Sequence, residues 1–391
     1  MKQAIILAAG EGQRLRPFTV TRPKAMLYIA DKPILQYVVE ALAVNGIRDI
    51  VFVVGYRKEQ VYDYMGYGEQ LGVDITYVTQ DKQLGTAHAL DAAKGAAQDE
   101  FLVLNADNLI EAATIADFVS VEPDAMLVKR EAFPERYGVV NVEGGEVKSI
   151  IEKPKEAGGN LVNTGIYAFT KDIFECIGEF LDIPDVLNHM LAGGHTIRAL
   201  ETEGTRLDVV YPWDILTLNA TVLNDVETDV GGKIEDGVYL KGKVVIGEDT
   251  IIRSGTYIYG PAVIGSGCDI GPNVCIKPAT SIGDNVLIST FSELKNSVIG
   301  NDVNLGPGCI VEDSFINKGC VLKGRFSAFS GQSEIRINGE TPLVEMGVMM
   351  GEDCTVDNNV AAQPGTIVGN YCRIQMGKVI SGRLPDNSLV Y

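Results

Sequence analysis

Residues 244–294 read VVIGED TIIRSG TYIYGP AVIGSG CDIGPN VCIKPA TSIGDN VLISTF SEL when cut every six residues. Ile246, Ile252, Ile258, Ile264, Ile270, Ile276, Ile282, Ile288 and Leu294 then share one column, and glycine follows directly at Gly247, Gly265, Gly271 and Gly283. The spacing returns at Met350, Val356, Ala362, Val368 and Ile374. Neither a helix nor a flat sheet repeats every six residues. A solenoid whose coils have flat sides does, each hexad sending one aliphatic side chain inward and turning a corner on a small residue. The phase slips near Val298-Ile299, and residues 325–349 leave the period, which predicts a loop extruded from one coil.

Upstream the grammar differs. Short apolar segments of buried-strand type at 4–8, 50–54, 75–78 and 101–104 alternate with helical periods such as Ile34, Leu35, Val38, Val39 and Leu42. This alternation predicts an α/β domain with right-handed crossovers and a mostly parallel, Rossmann-like sheet over residues 1–225. A linker is expected over 226–240 and the solenoid over 241–391. Sheets of this kind bind ligands beyond the carboxyl ends of their strands.

Among the 391 residues, 33 Lys+Arg face 52 Asp+Glu, a formal net charge of −19. That balance argues against a general nucleic-acid binder, which needs a basic face, and against docking on an anionic membrane. No uncharged apolar run reaches the ~20 residues of a membrane span. The opening stretch Met1-Lys2-Gln3-Ala4-Ile5-Ile6-Leu7-Ala8-Ala9-Gly10 is broken by glycine too soon for a signal peptide. The 7 cysteines form no Cys-x-x-Cys pair, and the 3 histidines, His88, His189 and His195, precede six of them. Buried small hydrophobes in a reducing cytoplasm are expected, with neither a zinc site nor a disulfide framework.

The first apolar segment runs into Gly10-Glu11-Gly12-Gln13-Arg14-Leu15-Arg16-Pro17, and Pro23-Lys24 follows. A glycine-rich turn after a strand lets backbone N–H groups approach phosphate oxygens. A dinucleotide-binding turn wants a small residue where Leu15 stands, and it does not account for Arg14, Arg16, Arg22 and Lys24. Residues 12–30 hold those cations and no carboxylate. This local reversal of charge suggests a polyphosphate, with Arg as a fork and Lys as a point charge.

Gly10-x-Gly12-x-Arg14-x-Arg16-Pro17 with Pro23-Lys24 resembles the signature of sugar-1-phosphate nucleotidylyltransferases, the nucleoside-diphosphate-sugar pyrophosphorylases. Gln80 with Leu84-Gly85-Thr86-Ala87-His88-Ala89 is similar to their nucleobase-reading segment. Asn105-Ala106-Asp107-Asn108 resembles their metal motif, with Ala106 where glycine is usual. Tyr137-Gly138-Val139-Val140, Glu152-Lys153-Pro154 and Asn163-Thr164-Gly165-Ile166-Tyr167 resemble their sugar-binding elements in the expected order, and Trp213-Asp214 their second metal segment. The hexads resemble the left-handed β-helix of hexapeptide-repeat proteins. The whole plan is most similar to archaeal-type UDP-N-acetylglucosamine pyrophosphorylases and glucose-1-phosphate thymidylyl- or uridylyltransferases.

The resemblance implies a Mg²⁺-dependent transfer from UTP or dTTP, with a lean to UTP, onto glucose-1-phosphate or N-acetylglucosamine-1-phosphate. Arg14 would hold the departing phosphates, Lys24 the α-phosphate and Lys153 the sugar phosphate. Leu7, Ala9, Gly10, Gly12, Gln80, Gly85 and Thr86 would line the nucleotide, Gly138, Glu152 and Asn163 the sugar, and Asp107 and Asp214 the metal. No general base is required, because the attacking phosphate oxygen is already ionised. Plainer readings stand beside these: Asp107 as a helix cap, Trp213-Asp214 as a packing corner, Lys153 as an exposed turn and His88 as a packing residue. Related chains also acetylate glucosamine-1-phosphate from acetyl-CoA, using a histidine in the β-helix. No histidine follows His195, so that activity reads as absent or degenerate. A trimer-based homo-oligomer through the β-helix is the default expectation for such a solenoid.

Overall fold

The computed structural model describes every residue except 157, 205, 338 and 340, and for Arg206 and Leu207 the backbone alone. It divides into two compact units, Met1–Glu11, Thr21–Met26 and Pro33–Asp208 in the first, Gly12–Val20, Leu27–Lys32 and Val209–Tyr391 in the second. No helix among the described residues is long and apolar enough to cross a membrane.

In the first unit the apolar segments become strands β1 (Gln3–Ala8), β2 (Asp49–Val54), β3 (Asp74–Thr79) and β4 (Glu100–Asn105). β5 (Ala125–Arg130), β6 (Gly138–Glu143), β7 (Glu146–Glu152), β8 (Leu161–Thr170) and β9 (Arg198–Thr202) complete a sheet ordered β3-β2-β1-β4-β8-β5-β9-β7-β6. The β3-β2-β1-β4 side is parallel, whereas β8 runs antiparallel to both β4 and β5. Helix α1 (Ile34–Val44) buries Ile34, Leu35, Val38, Val39 and Leu42, the stripe read from the sequence.

Both faces of the sheet are covered. Ile6, Phe52 and Leu104 pack in the same core as α1, and Ile5, Val53 and Val103 pack in a second core with α2 (Thr86–Ala92) and α3 (Ile183–Ala192). Two-sided burial is why these strands read as continuous apolar runs instead of alternating ones. β2 and β4 flank β1 on opposite sides, so the strand order reverses at the carboxyl end of β1 and opens a crevice there.

The second unit carries the solenoid. Three sheets of nine, nine and eight strands run up it with all neighbours parallel, the arrangement typical of a left-handed β-helix. The hexad column points inward. Every member from Ile246 to Leu294 is at most 1% exposed, a burial that stabilises by about 1.5–3 kcal/mol per side chain at the upper bound. Val244 pairs with Ala262 and Ile251 with Asp269, so one coil takes eighteen residues. The last hexad position adopts left-handed backbone at Asp249, Asn273 and Asn285, which explains its preference for Asp, Asn and Gly. Glycine after the inward residue is set by contact between coils: a Cβ on Gly265 would lie 2.7 Å from the Gly283 carbonyl carbon.

Three expectations change in detail. Residues 226–240, read as a linker, hold strands Asp229–Val230, Lys233–Ile234 and Tyr239–Lys241, each already paired with the next coil. The inward column therefore extends upstream through Ile234 and Leu240, which are only partly buried at the end of the stack. The phase slip is a shorter coil, because Ser281 pairs with Val298 and Val298 with Phe315, seventeen residues apart. The extruded segment is shorter than 325–349. Phe326 and Ala328 remain in the core, and the coil is left only for the antiparallel hairpin Gln332–Glu334 with Leu343–Glu345 before it resumes at Val348–Met350.

All seven cysteines are free thiols. Cys268 fills a hexad corner and donates to the Gly283 carbonyl on the next coil at 3.1 Å, and Cys354 does the same to Gly369. Thr250 makes the equivalent bond to Gly265 with its hydroxyl. Burial pushes the Cys268 and Cys309 thiols up, so they pack as small residues with a weak donor.

One outer face of the solenoid seats a short piece of the N-terminal sequence. Phe18 stacks on Phe315 with ring centroids 4.4 Å apart, and buried Asn370 donates from Nδ2 to the Pro17 carbonyl at 3.2 Å. Ala30 N–H donates to Asn219 Oδ1 on helix α4 (Asp214–Asp225).

Candidate active site

The site is built from strand ends. At the carboxyl end of β1, the Leu7 carbonyl accepts Ala106 N–H at 3.1 Å and the Ala9 carbonyl accepts Tyr56 N–H at 3.2 Å. These bonds fix Leu7, Ala9 and Gly10 against the ends of β4 and β2. The space over Gly10 is open, since a Cβ there would meet nothing within 4 Å.

Lys24 sits in the 3-10 turn Lys24–Met26, held by Ala25 and Met26 in the core. Its ammonium forms an ion pair with Asp107 Oδ2 just beyond β4. The side chains keep 18% and 27% of their surface, so both charges stay within reach of a ligand. The helix-cap reading of Asp107 finds no support, because the next residues form the strand Asn108–Ile110 instead of a helix.

That strand also brings in a carboxylate the sequence reading passed over. Asn108–Ile110 pairs antiparallel with Arg206–Asp208, and Asp208 stands directly opposite Asn108, the neighbour of Asp107. Asp214, the residue expected as second metal ligand, begins helix α4 in the second unit. Its Oδ2 accepts the backbone N–H groups of Val210 and Tyr211 at 2.8 and 2.7 Å. A carboxylate oxygen so occupied closes its own turn, as an N-terminal helix residue does. The packing-corner reading of Trp213-Asp214 accords with this and with Trp213 stacked on Tyr211 at 4.8 Å.

The segment expected to read the base follows β3. Buried Gln80 donates from its backbone to Val54 and from Nε2 to the Gly85 carbonyl at 3.1 Å, and Nε2 also lies 2.8 Å from His88 Nδ1. Gly85 has a φ of 152°, and a Cβ there would strike the Leu181 carbonyl at 2.3 Å. Thr86 is committed to structure: its N–H and hydroxyl donate to Asp182 Oδ1, and its oxygen accepts Ile183 N–H at 2.9 Å. Thr86 and Asp182 thus tie the starts of α2 and α3 together.

A third group lies on β6, β7 and β8. Glu152 pairs with Gly138 across the strands. A Cβ on Gly138 would fall 2.6 Å from Glu152 Oε2 and 3.5 Å from Asn163 Cβ, so these three residues share one patch. Asn163 is oriented by donating to Tyr167 Oη at 2.7 Å and accepting Gly165 N–H at 2.9 Å. Desolvation raises the Glu152 carboxyl above its ordinary 4.5, opposed by Lys153 and assisted by Asp182 and Asp185. Lys153 holds a φ of 43°, unusual for a side chain with a Cβ, and its N–H donates to the Tyr137 carbonyl at 3.0 Å. Such backbone is kept where the surroundings impose it, and it clusters at binding sites.

Gly12 and Arg14 lie on the segment that groups with the second unit. Gly12 is left-handed at φ 73°, its carbonyl accepts the Thr19 hydroxyl at 2.8 Å, and Arg14 follows in the one-turn 3-10 helix Gln13–Leu15.

A strand-order reversal with a lysine–carboxylate pair beside it is the arrangement by which α/β enzymes of this class take their ligands. Residues 3–212 match the nucleotidyl transferase family, and residues 243–278 match the bacterial transferase hexapeptide (six repeats). The chain belongs to the nucleotidyl transferase family. It is 34% identical to the "Bifunctional protein GlmU" of Methanocaldococcus jannaschii over 99% of this chain and 97% of that one. It is 35% identical to the glucose-1-phosphate thymidylyltransferase of Streptomyces antibioticus, covering 76% of this chain and 86% of that one. Among solved structures, a UDP-glucose pyrophosphorylase complexed with UDP-glucose superposes with a TM-score of 0.53 at 26% identity, over 58% of this chain and all of that one.

Proposed function

We propose that the chain is a sugar-1-phosphate nucleotidylyltransferase. It joins UTP or dTTP to glucose-1-phosphate or N-acetylglucosamine-1-phosphate and releases pyrophosphate. The observation that carries this reading is the Lys24–Asp107 pair at the strand-order reversal, in the unit that also holds the Gln80–Gly85 and Gly138–Glu152–Asn163 groups.

An ionised sugar-phosphate oxygen attacks the α-phosphorus in line, and the bond to the bridging oxygen of pyrophosphate breaks. The enzyme's task is to hold two anions together and to neutralise charge as it moves onto the leaving group. Lys24 neutralises the α-phosphate, Arg14 the β- and γ-phosphates, and Lys153 aligns the sugar phosphate. Gln80 and the Gly85 backbone read the base, with Leu7, Ala9, Gly10 and Gly12 along the nucleotide. Gly138 leaves room for a sugar whose hydroxyls meet Glu152 and Asn163.

The donor set suits magnesium, a hard ion that takes one or two carboxylates and completes its shell with phosphate oxygens and water. Asp107 and Asp208 are the carboxylates we assign to it, Asp208 replacing Asp214 because of the ladder register. When bound, the ion supplies charge neutralisation at the phosphates.

Pyrophosphate release across a grid of UTP, dTTP, ATP, CTP and GTP against several sugar-1-phosphates tests the reading, with Lys24→Ala as control. Release with a pyrimidine triphosphate and one sugar phosphate, lost in Lys24→Ala, is the expected outcome. The printed name of the M. jannaschii relative makes an acetyltransferase the second reading. Thiol release from acetyl-CoA with glucosamine-1-phosphate tests it, and the lack of any histidine after His195 predicts none.

A further inference from the structure

Gln80 and His88 form a small network whose proton positions are fixed by one atom that cannot donate. The Gly85 carbonyl is an obligate acceptor, so the Gln80 atom 3.1 Å from it must be the amide nitrogen. A flipped amide would set two oxygens against each other. The same nitrogen lies 2.8 Å from His88 Nδ1, which must then accept from it. Both hydrogens of the Gln80 amide are thereby used. Its Oε1 receives no hydrogen bond among the described residues and is left as an acceptor only. The backbone of Gln80 is anchored to Val54 at 2.8 Å and that of His88 to Leu181 at 3.2 Å, so neither residue drifts from this register.

We propose that His88 is a positioning residue for nucleotide choice: by accepting from Gln80 it turns the glutamine carbonyl oxygen toward the base and restricts the site to bases with an N–H at N3. The inference rests on the nucleotidylyltransferase reading and on Gln80 facing the base. Uracil and thymine carry that N–H, whereas cytosine presents a bare N3 and places two acceptors face to face. A site built around one buried acceptor rejects such an analogue far more strongly than it rejects a missing methyl. The same network accepts uracil and thymine alike, so it separates UTP and dTTP from CTP and not from each other.

The test compares kcat/KM for UTP and CTP, read as pyrophosphate release at saturating sugar-1-phosphate, in the wild type, His88→Ala and His88→Asn. Asparagine places an oxygen acceptor where Nδ1 stood. In His88→Ala the UTP-to-CTP ratio falls by about tenfold or more, through a raised KM for UTP with kcat little changed, and His88→Asn restores it. A common fall for both nucleotides, or a wild type that uses CTP as readily as UTP, overturns the proposal. Equilibrium binding of UTP and CTP to the same proteins separates the two layers. A UTP preference in binding that His88→Ala abolishes, without turnover by any variant, upholds the role of His88 and removes the transferase reading. Equal binding of UTP and CTP by the wild type removes the role of His88 whatever the turnover.

Discussion

The two units of this chain hold their backbones by opposite means. In the solenoid each hexad repeats one local contract, an inward aliphatic, a small residue against the next coil and a left-handed corner, and the register follows from repetition. In the α/β unit nothing repeats. Lys24 meets Asp107 over 83 positions of sequence, and Thr86 meets Asp182 over 96. A repeating scaffold tolerates small local damage, whereas a site assembled from single long-range contacts loses function with one atom. Four experiments press on that contrast.

The largest effect belongs to the site. Asp107→Ala removes one half of the ion pair and the carboxylate we assign to the metal, and kcat falls by about 10²–10³-fold, while circular dichroism and the melting profile stay near wild type. Next comes the scaffold. Ile270→Ala leaves a hole in the fully buried column and lowers stability by about 2–5 kcal/mol in urea unfolding, with pyrophosphate release at 25 °C unchanged. If Ile270→Ala impaired turnover as much as stability, the separation between the units would fail.

A smaller effect is expected at residues 12–20, which group with the solenoid unit and carry Arg14, proposed to meet the triphosphate. Phe315→Ala removes the ring on which Phe18 stacks and loosens residues 12–20. KM for the triphosphate rises by about tenfold through misplacement of Arg14, and KM for the sugar phosphate stays put. The smallest concerns Glu152. Its raised carboxyl pKa means that between the ordinary 4.5 and the folded value the native chain binds the extra proton. Stability from this group is therefore present at low pH and is lost as pH rises through that window. Glu152→Gln gives a slight rise in Tm at pH 7 and none at pH 4, together with a higher KM for the sugar phosphate. An equal Tm shift at both pH values would contradict the desolvation account.

The period of six made most of the solenoid legible, because each coil needs its inward residue independently of the others. It faded at Ile234 and Leu240, where the end of the stack leaves the inward position half covered and relaxes the demand for an aliphatic. It also faded at the seventeen-residue coils, where one shortened corner shifts the column without breaking the stack. Within the candidate site, Lys24 and Asp107 each follow a recognisable local pattern, and the structure pairs them. Asp208, the carboxylate we propose beside Asp107, has no such pattern, since only the pairing of two three-residue strands brings it beside Asn108. Asp214 attracted attention through its tryptophan neighbour but spends one oxygen on its own helix start. The partner of His88 is not legible either, because Gln80 reaches it through the turn at Gly85, and the sequence alone does not reveal that turn's shape.

The most direct test withholds one substrate at a time. Wild-type enzyme with magnesium and UTP should release pyrophosphate only when a sugar-1-phosphate is also present, in equal amount to the nucleotide sugar formed, and Asp107→Ala should slow that release by about 10²–10³-fold. Release that ignores the sugar phosphate, or that survives Asp107→Ala undiminished, would contradict a crevice in which Lys24 and Asp107 bring two phosphorylated substrates together.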